Sequence, residues 1–342
     1  MSLGTEEKHA QTMANTLAEA DYRGRYRHGL TSLEMILEDV DIGACRPDYK
    51  PKILKETPAI AWVDGAMNLG PVVGNFCMDI AIKKAKEVGI GWVTCKHSND
   101  YGLSTCYALR AYNVGFIGFA CSNSPAMVVP TRGKKPVLGP NPICLAAPSK
   151  REEEGVIMDM TTSTVDWAEI DQYKIKGQEL PKGWAATKDG TETTDISQAT
   201  YLLPLGGTED RSGYKGYNFI LMVEILCGIL GGGKFGPYVK ETHSARDPAN
   251  LCHTFFALDP AKFNPAFKLH MQDLTAALRS TDSVTPDTPV WIAGDPERMH
   301  MKAVKEAGGI RYSKKNLQTF EEIAFKYGVT PLKAKDSCYF PS

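Results

Sequence analysis

Histidine is the side chain best suited to exchanging protons near neutral pH, because its unperturbed pKa is about 6.5. The chain contains seven histidines. His28 has distinctive surroundings, since Gly29 follows it directly and three arginines precede it: Arg23, Arg25 and Arg27. This stretch predicts a cationic turn between two helices. The residues alone leave two interpretations open, a proton-transferring site and a solvated basic loop.

Five of the other histidines have simpler interpretations. His9 and His300 lie in helical stretches beside charged residues, which predicts solvated faces. His253 begins the apolar run HTFFAL and is expected to be a core histidine with satisfied hydrogen bonds. His243, in the polar run KETHSARD, is expected in an exposed loop. His270 fits a packed or a surface position equally well.

The glycine spacing of GGGKFG, residues 231–236, matches the loop that holds a dinucleotide's pyrophosphate in a Rossmann fold. Such a loop must follow a strand and open a helix. Here it follows YKGYNFILMVEILCGIL, whose apolar residues recur at helical steps, and Pro237 comes next. The order predicts a helix ending at these glycines and argues against a Rossmann domain. The predicted buried face of this helix comprises Phe219, Met222, Val223, Leu226 and Ile229.

Composition excludes several classes of protein. Lys and Arg total 39 against 40 Asp and Glu, so the chain lacks the cationic surplus of a nucleic-acid-binding or membrane-surface protein. The nine cysteines form no CxxC pair, which favours reduced thiols over disulfides or a metal site. We see no signal-peptide pattern and no apolar run of membrane-spanning length. These features predict a soluble cytoplasmic protein without a metal.

An alternation of helices and strands must position these residues. Residues 5–21 predict a first helix, and Ser32 is placed to cap a second one. NFCMDIAIKKAKEVG predicts a helix that ends at Gly89, with IGWVTC as the next strand. VGFIGFAC, PICLAA and GVIMDM are typical of buried strands. Near the carboxyl end, ERMHMKAVKEAGG and LQTFEEIAFKYG predict helices, the second with a capping box of Thr319 and Glu322. The result is a mixed α/β chain.

Eight motifs occur in one order along the chain: EADYRGRYRHGL, VDGAMNLG, KHSNDYG, VVPTRGKKPVLGPNPICLAAP, MDMTTS, GTETTD, LLPLGG followed by YKGY, and FFALDPAKF. In order and spacing they resemble the malate/L-lactate dehydrogenase family of the non-Rossmann type. That family also includes sulfolactate and ureidoglycolate dehydrogenases and cyclic imino-acid reductases. The resemblance extends from about Asp21 to Gly328, and several motifs together are far more specific than any one of them.

The resemblance implies an NAD(P)-dependent oxidoreductase. It implies an α/β fold in which a mixed-sheet, non-Rossmann NAD(P)-binding domain is interleaved with a helical domain formed by both termini. The expected ranges are 1–70 plus 300–342 for the mainly helical domain, 71–120 for an α/β substrate-side segment and 121–299 for the dinucleotide-binding domain. A homodimer is also implied, with the active site at the domain cleft near the partner subunit.

Matching the family's motifs to this chain implies roles for particular residues. The histidine of the SHG motif falls on His28, the implied proton donor to a keto group or acceptor from a hydroxyl. The aspartate of the TTD motif falls on Asp195, an implied orienting partner for the imidazole, although the residues alone favour an Asx turn there. Cofactor contacts are implied at Ser124, Met158, Asp159, Met160, Lys215, Gly294 and Asp295.

Two positions depart from the family pattern. SNDYG replaces the usual SNHFG, so Asp100 stands where relatives carry a histidine that helps to position substrate or cofactor. An acidic side chain there repels a substrate carboxylate unless it is paired or protonated, and His97 is a nearby candidate to compensate. RHG replaces SHG, which makes Arg27 a candidate carboxylate clamp, steadied by Asp100. The alternative places Arg27 in solvent.

The leading hypothesis is reversible oxidation of a small 2-hydroxy acid, with (S)-malate and oxaloacetate as the preferred pair. Two alternatives stay open: an imino-acid or opine-type reductase that uses the same His28 proton donor, and a catalytically impaired NAD-binding sensor. Asp159 and Asp295 favour NAD without excluding NADP, since an acidic acceptor suits a free ribose 2′-hydroxyl.

Overall fold

The described chain alternates helices and strands. A computed structural model describes residues 2–239, 248–285 and 287–333, so His243 and residues 334–342 lie outside the described part. The α-helices are α1 Glu7–Tyr22, α2 Leu33–Asp41, α3 Gly70–Val88, α4 Thr105–Tyr112, α5 Trp167–Lys176, α6 Gly213–Glu224, α7 Phe267–Arg279, α8 Asp295–Ala307 and α9 Lys314–Lys326. The strands are β1 Lys52–Glu56, β2 Ile60–Asp64, β3 Ile90–Ser98, β4 Ile117–Ser122, β5 Ile143–Ala147, β6 Val156–Met160, β7 Ala185–Ala186, β8 Glu192–Thr193, β9 Tyr201–Leu202 and β10 Leu251–Leu258.

Seven strands form one mixed sheet in the order β1-β2-β3-β10-β4-β5-β6. Only the β2–β3 pair is parallel, and the other neighbouring pairs are antiparallel. Strand β10, the last strand among the described residues, therefore lies at the centre, where Phe255 is fully buried. A smaller sheet has the order β8-β7-β9. The predicted mixed-sheet α/β fold is confirmed. Within the described residues, no helix is both long and apolar enough to span a bilayer.

Helix α3 shows how the sequence pattern produces this packing. Cys77, Ala81 and Ala85 recur at four-residue steps and are buried on one face, while Val88 at the end of the helix is exposed. Gly89 ends the helix with a φ of 92°, in the left-handed region that favours glycine. The chain then enters β3 directly, and the small residues of α3 let the helix lie close on the sheet.

Both ends of the described chain meet near the His28 turn. The Tyr312 hydroxyl donates a hydrogen bond of 2.6 Å to Asp21 at the end of α1. The ring of Tyr26 lies edge-on to the rings of His300, on α8, and Tyr312. Elements from opposite ends of the sequence therefore pack around one turn. The domain ranges expected from the sequence stay a prediction.

The predicted capping box of α9 is wrong. The helix begins at Lys314, so Thr319 lies in its interior, and the Ser313 hydroxyl accepts the N–H of Asn316 instead. Ser32 does stand at the start of α2, but its hydroxyl donates to the carbonyl of Gly29 and caps nothing. Sequence spacing located both helices, whereas the capping side chain depends on where the first turn closes.

The helix before GGGKFG ends as predicted, but its buried face is partly wrong. A π-helical segment, Ile225–Ile229, continues α6, and Gly232 follows with a φ of 70°. Val223 is buried and Leu226 is partly buried. The remaining members of the predicted face are 37–53% exposed: Phe219, Met222 and Ile229.

The described histidines differ in how deeply they are buried. His253 is fully buried with hydrogen bonds on both ring nitrogens, as predicted. His9 is buried too, with Nδ1 2.6 Å from the carbonyl of Pro47, so its predicted solvated position is wrong. His300 is half-buried rather than solvated, whereas His270 is exposed.

Candidate active site

The His28 turn is bound tightly to the end of α1. Asp21 is fully buried, and its Oδ2 accepts the N–H of Leu30 at 2.9 Å. A Cβ atom at Gly29 would lie 1.8 Å from Asp21 Oδ1, so only glycine fits there. Burial raises the pKa of Asp21, opposed by its hydrogen bonds to Leu30 and Tyr312. The position of His28 is thus set by the residue that follows it.

The basic turn faces the amino-terminal end of α5, which is acidic. His28 Nε2 lies 3.8 Å from Asp166 Oδ2, and Arg27 Nε lies 3.4 Å from Asp166 Oδ1. Arg27 Nη1 is 3.8 Å from Asp171. The side chain of Arg27 is 45% exposed, so it reaches solvent as well as these carboxylates, and its role as a carboxylate clamp stays a prediction. The exposed fraction of His28 is 31%, so the imidazole remains accessible to a small molecule.

Asp159 lies on the edge strand β6 and faces this turn. Its Oδ2 accepts the N–H of Thr105 at 2.7 Å and the Thr105 hydroxyl at 2.5 Å. Burial raises the pKa of Asp159, and these bonds and the charges of His28 and Arg25 oppose that rise. Because strand side chains alternate, Met158 and Met160 point to the opposite face from Asp159.

Asp100 is exposed in a turn of its own beside the His28 backbone. Its Oδ1 accepts the N–H of Gly102 at 2.8 Å. A Cβ at Gly102 would be 3.8 Å from the carbonyl oxygen of His28. The carboxylates within ion-pair distance of Arg27 are Asp166 and Asp171, and the expectation that Asp100 steadies Arg27 stays a prediction. His97 is held by Asp64, 3.1 Å from its Nδ1.

Asp195 forms the Asx turn that the residues alone favoured. Its Oδ1 accepts the backbone N–H of Ser197 at 2.9 Å and the Ser197 hydroxyl at 2.7 Å, while Oδ2 accepts from Gln198 at 3.0 Å. These hydrogen bonds lower the pKa of this exposed carboxyl. Its implied pairing with His28 stays a prediction, because the contacts described for Asp195 lie within its own loop.

Ser124 follows β4 and belongs to a buried polar network. Its backbone N–H and hydroxyl both donate to Asn141 Oδ1 at 3.0 Å. The amide of Asn141 donates to Glu224 at 2.8 Å, and Asn123 donates to the same carboxylate at 3.3 Å. Glu224, on α6, is 3% exposed. The network fixes the loop that carries Ser124 against the helix that carries Lys215.

The start of α6 carries Lys215, one of the residues for which a cofactor contact is predicted. Its N-cap, Ser212, has a φ of 69° and makes no side-chain cap. The N–H groups of Gly213 and Lys215 donate to the carbonyls of Thr208 and Ser212. Lys215 is exposed in the first turn of this helix. Gly206 and Gly207 both have left-handed φ angles and lead the chain to this helix. The exposed cation of Lys215 is the feature of this helix start that suits an anion.

Gly294 and Asp295 begin α8 next to β6. Gly294 has a φ of 99°, and the carbonyl of the preceding residue, Ala293, accepts the N–H of Ile157 on the edge strand. Asp295 Oδ1 accepts from two arginines, and Oδ2 accepts the N–H of Ile292. Burial tends to raise the pKa of Asp295, but the contacts with Ile292, Arg279 and Arg298 outweigh burial and lower it. The carboxylate is therefore committed to holding the helix start.

Sequence reasoning missed three carboxylates of this region: Asp21, Asp166 and Glu224. Asp166 precedes an amphipathic run with Glu169 three residues later, so a capping-box search would have found it as an N-cap. Nothing in the sequence places it opposite Arg27, however. The positions of Asp21 and Glu224 follow only from the tertiary fold.

Comparison with known proteins identifies the family. The family model described as malate/L-lactate dehydrogenase matches residues 1–321. The malate dehydrogenase of Pyrococcus horikoshii is 38% identical over 336 residues, covering 96% of this chain and 92% of the relative. The malate/(S)-sulfolactate dehydrogenase of Methanothermus fervidus is 35% identical over 330 residues, covering 94% and 92%. The chain therefore belongs to the malate/L-lactate dehydrogenase family.

Solved structures agree with this assignment. The malate dehydrogenase structure from Pyrococcus horikoshii OT3 superposes with a TM-score of 0.88 at 36% identity, covering 97% of this chain and 92% of that one. The sulfolactate dehydrogenase from Methanocaldococcus jannaschii also gives 0.88, at 30% identity, covering 96% and 93%. The name of the similar ureidoglycolate dehydrogenase of Escherichia coli specifies NAD+. The name of the similar (2R)-3-sulfolactate dehydrogenase of Chromohalobacter salexigens specifies NADP+. The class is thus a nicotinamide-dependent hydroxy-acid dehydrogenase, an oxidoreductase.

Proposed function

We propose that the protein is an NAD-dependent malate dehydrogenase that interconverts (S)-malate and oxaloacetate. The observation that carries the proposal is the pairing of His28 with Arg27 in one accessible turn, a proton carrier beside a cation for a carboxylate. The name of the Pyrococcus horikoshii relative supports malate among the family's hydroxy acids.

The chemistry assigned to the chain's own residues is simple. When bound, the nicotinamide cofactor would supply the hydride for the keto carbon. Through the ring nitrogen that does not face Asp166, His28 gives a proton to the carbonyl oxygen as that oxygen becomes a hydroxyl, and takes the proton back in the oxidative direction. Arg27 holds a substrate carboxylate, for which its planar guanidinium is suited. Asp195 is retained as the implied partner of the imidazole, and Asp100 as a substrate-side residue.

The dinucleotide is proposed to bind along α6, β6 and the start of α8. Lys215, exposed in the first turn of α6, suits the diphosphate as a compact positive charge. Ser124, Met158 and Met160 are proposed to contact the remainder, with Gly294 at the α8 start. NAD is proposed over NADP, although Asp159 and Asp295 already accept hydrogen bonds within the chain.

Two further features belong to the proposal. We infer a homodimer with the exposed apolar face of α6 and its π-helical extension at the interface, since this face is continuous and unpartnered within the described residues. A cytoplasmic location is supported by the eight described cysteines, which are all free thiols. The expected domain ranges and the cleft between them are retained.

The direct test follows oxidation of NADH and of NADPH separately, with oxaloacetate, pyruvate, sulfopyruvate and a cyclic imino acid. Oxaloacetate with NADH is expected to give the highest kcat/KM, and His28→Asn is expected to lower it at least a hundredfold, within the usual contribution of general acid catalysis. Preferred turnover of the cyclic imino acid would replace the proposal with an imino-acid reductase. NADH binding without turnover of any substrate would indicate a sensor.

A further inference from the structure

Asp166 is the carboxylate nearest to His28 among the described ion pairs. Its two oxygens serve the two functional side chains of the turn separately: Oδ2 lies 3.8 Å from His28 Nε2, and Oδ1 lies 3.4 Å from Arg27 Nε. The carboxylate is 23% exposed, so solvent screens these interactions only partly.

The position of Asp166 is fixed by its own helix. It is the N-cap of α5, where its Oδ1 accepts the N–H of Ala168 at 3.3 Å and its N–H donates to Glu169 at 3.0 Å. One turn into the helix, Ile170 is 3% exposed and anchors α5 in an apolar cluster. A capping box on an anchored helix presents the carboxylate without a large loss of side-chain entropy.

The surroundings of the imidazole explain why this carboxylate matters. Charged groups come from several elements of the fold: Arg25 and Arg27 from the turn itself, Asp166 and Asp171 from α5, Asp159 from β6, Glu297 from α8 and Asp100 from the neighbouring turn. Arg25 is paired with Glu297 at 2.6 Å, and Asp159 with Thr105. Asp166 is the anion that touches both His28 and Arg27.

We propose that Asp166 is a positioning residue for the dehydrogenase reaction, orienting His28, stabilising its charged form and holding Arg27 beside it. This inference rests on the proposed function of His28 and Arg27. It predicts that loss of the Asp166 charge disfavours the imidazolium, which is the proton donor in keto-acid reduction. Substrate affinity is expected to hold, because the same change removes an anion near the substrate's carboxylate.

The test compares four versions of the full-length protein: wild type, Asp166→Asn, Asp195→Asn and Asp171→Asn. Asparagine is as good an N-cap as aspartate, so α5 should remain intact in Asp166→Asn, which thermal unfolding checks. Asp171→Asn is the matched control, since it removes a charge from the same helix that contacts Arg27 and not His28. The readout is kcat and KM for oxaloacetate reduction from about pH 5.5 to 9.

For Asp166→Asn we expect kcat near neutral pH to fall about tenfold, the midpoint of the high-pH decline in rate to move down by about half a unit or more, and KM not to rise. Asp171→Asn should move the midpoint by less than a third as much. A profile of Asp166→Asn that overlies the wild type would overturn the proposal. If only Asp195→Asn moves the profile, Asp195 is the partner instead.

A second measurement tests the role of Asp166 independently of the proposed substrate. The NMR titration of the His28 imidazole needs no turnover. Its midpoint is expected at lower pH in Asp166→Asn than in the wild type, even if no keto acid reacts. Absence of turnover together with a shifted midpoint would contradict the malate assignment and uphold the role of Asp166, whereas an unshifted midpoint would remove that role in either case.

Discussion

At the scale of single residues, Gly29 sets the geometry on which His28 depends. Replacing it with alanine puts a Cβ 1.8 Å from Asp21 Oδ1, which cannot move far because Asp21 also holds Leu30 and Tyr312. We expect Gly29→Ala to destabilise the fold by about 1–3 kcal/mol, as overpacking does, and to lower kcat/KM by about a hundredfold through misplacement of His28.

Thermal unfolding and steady-state kinetics test this expectation. Gly309→Ala is the matched control, because a Cβ at that position meets no atom within 4 Å. The control should retain full activity, with a stability change within about 0.5 kcal/mol. Full activity in Gly29→Ala would show that the turn can shift without consequence and would weaken the assignment of His28.

The environment of a residue can be predicted from sequence when it is formed by neighbours along the chain. The core position of His253 follows from the apolar strand around it, and the Asx turn of Asp195 follows from neighbouring Thr and Ser residues. The pairing of Arg27 with Asp166 joins residues far apart in sequence, so no local pattern contains it. His9 was misassigned for the same reason, since its partner Pro47 lies on another segment.

At the scale of elements, β10 carries a neutral histidine through the centre of the sheet. His253 accepts or donates at both ring nitrogens, with Ser122 and Ser98 hydroxyls at 2.8 Å, and stacks on Tyr101 at 4.4 Å. Burial lowers its pKa to about 3. An unfolded histidine titrates near 6.5, so the unfolded state binds the extra proton first as pH falls.

Acid therefore weakens the contribution of His253 to stability. The contribution of His253 to stability is complete above about pH 6.5 and is lost as pH falls towards 3, by up to about 1.4 kcal/mol per pH unit. Urea unfolding at about pH 7.5 and 4.5 should show a smaller loss in His253→Gln than in the wild type, because glutamine stays neutral. An NMR spectrum showing a charged His253 at about pH 5 would contradict this account.

Helix α8 depends on Asp295 at its first position. The carboxylate accepts hydrogen bonds from Arg279, Arg298 and the N–H of Ile292, and it is 15% exposed. Its removal takes away the ion-pair partner of Arg279 and leaves Arg298 with the carbonyl of Gly155. We expect Asp295→Ala to reduce the free energy of unfolding by about 1–3 kcal/mol. Asp273→Ala, on the exposed side of α7, is the control and should be nearly neutral.

Unfolding curves in urea compare the stabilities of Asp295→Ala, Asp273→Ala and the wild type. Fluorescence titration with NADH compares their affinities for the cofactor. The Asp295→Ala change is expected to lower stability more than it lowers NADH affinity, since the carboxylate is occupied by the chain's own groups. A large loss of NADH affinity at unchanged stability would instead support the predicted direct contact of Asp295 with the cofactor.

At the scale of the whole molecule, one apolar surface has no partner within the described chain. It follows α6 and the π-helical segment at helical steps, with Phe219 43% exposed, Met222 37%, Ile225 50% and Ile229 53%. Helical periodicity correctly indicated an apolar face here, but periodicity cannot tell whether a face packs inside one chain or between two. A continuous apolar patch on a folded chain marks an interaction surface.

The homodimer proposal therefore makes a sharp prediction at this face. Ile229→Glu places a charge where a second copy would bury an apolar side chain, so sedimentation equilibrium should give a monomer where the wild type gives a dimer. Phe263→Glu is the control, because Phe263 is 78% exposed and lies on a different part of the surface, after β10. The control should remain dimeric. A buried and unpaired carboxylate in an apolar contact costs several kcal/mol, so the dimer should not tolerate Ile229→Glu at this face. If the dimer survives this change, with circular dichroism unchanged, the interface must lie elsewhere on the molecule.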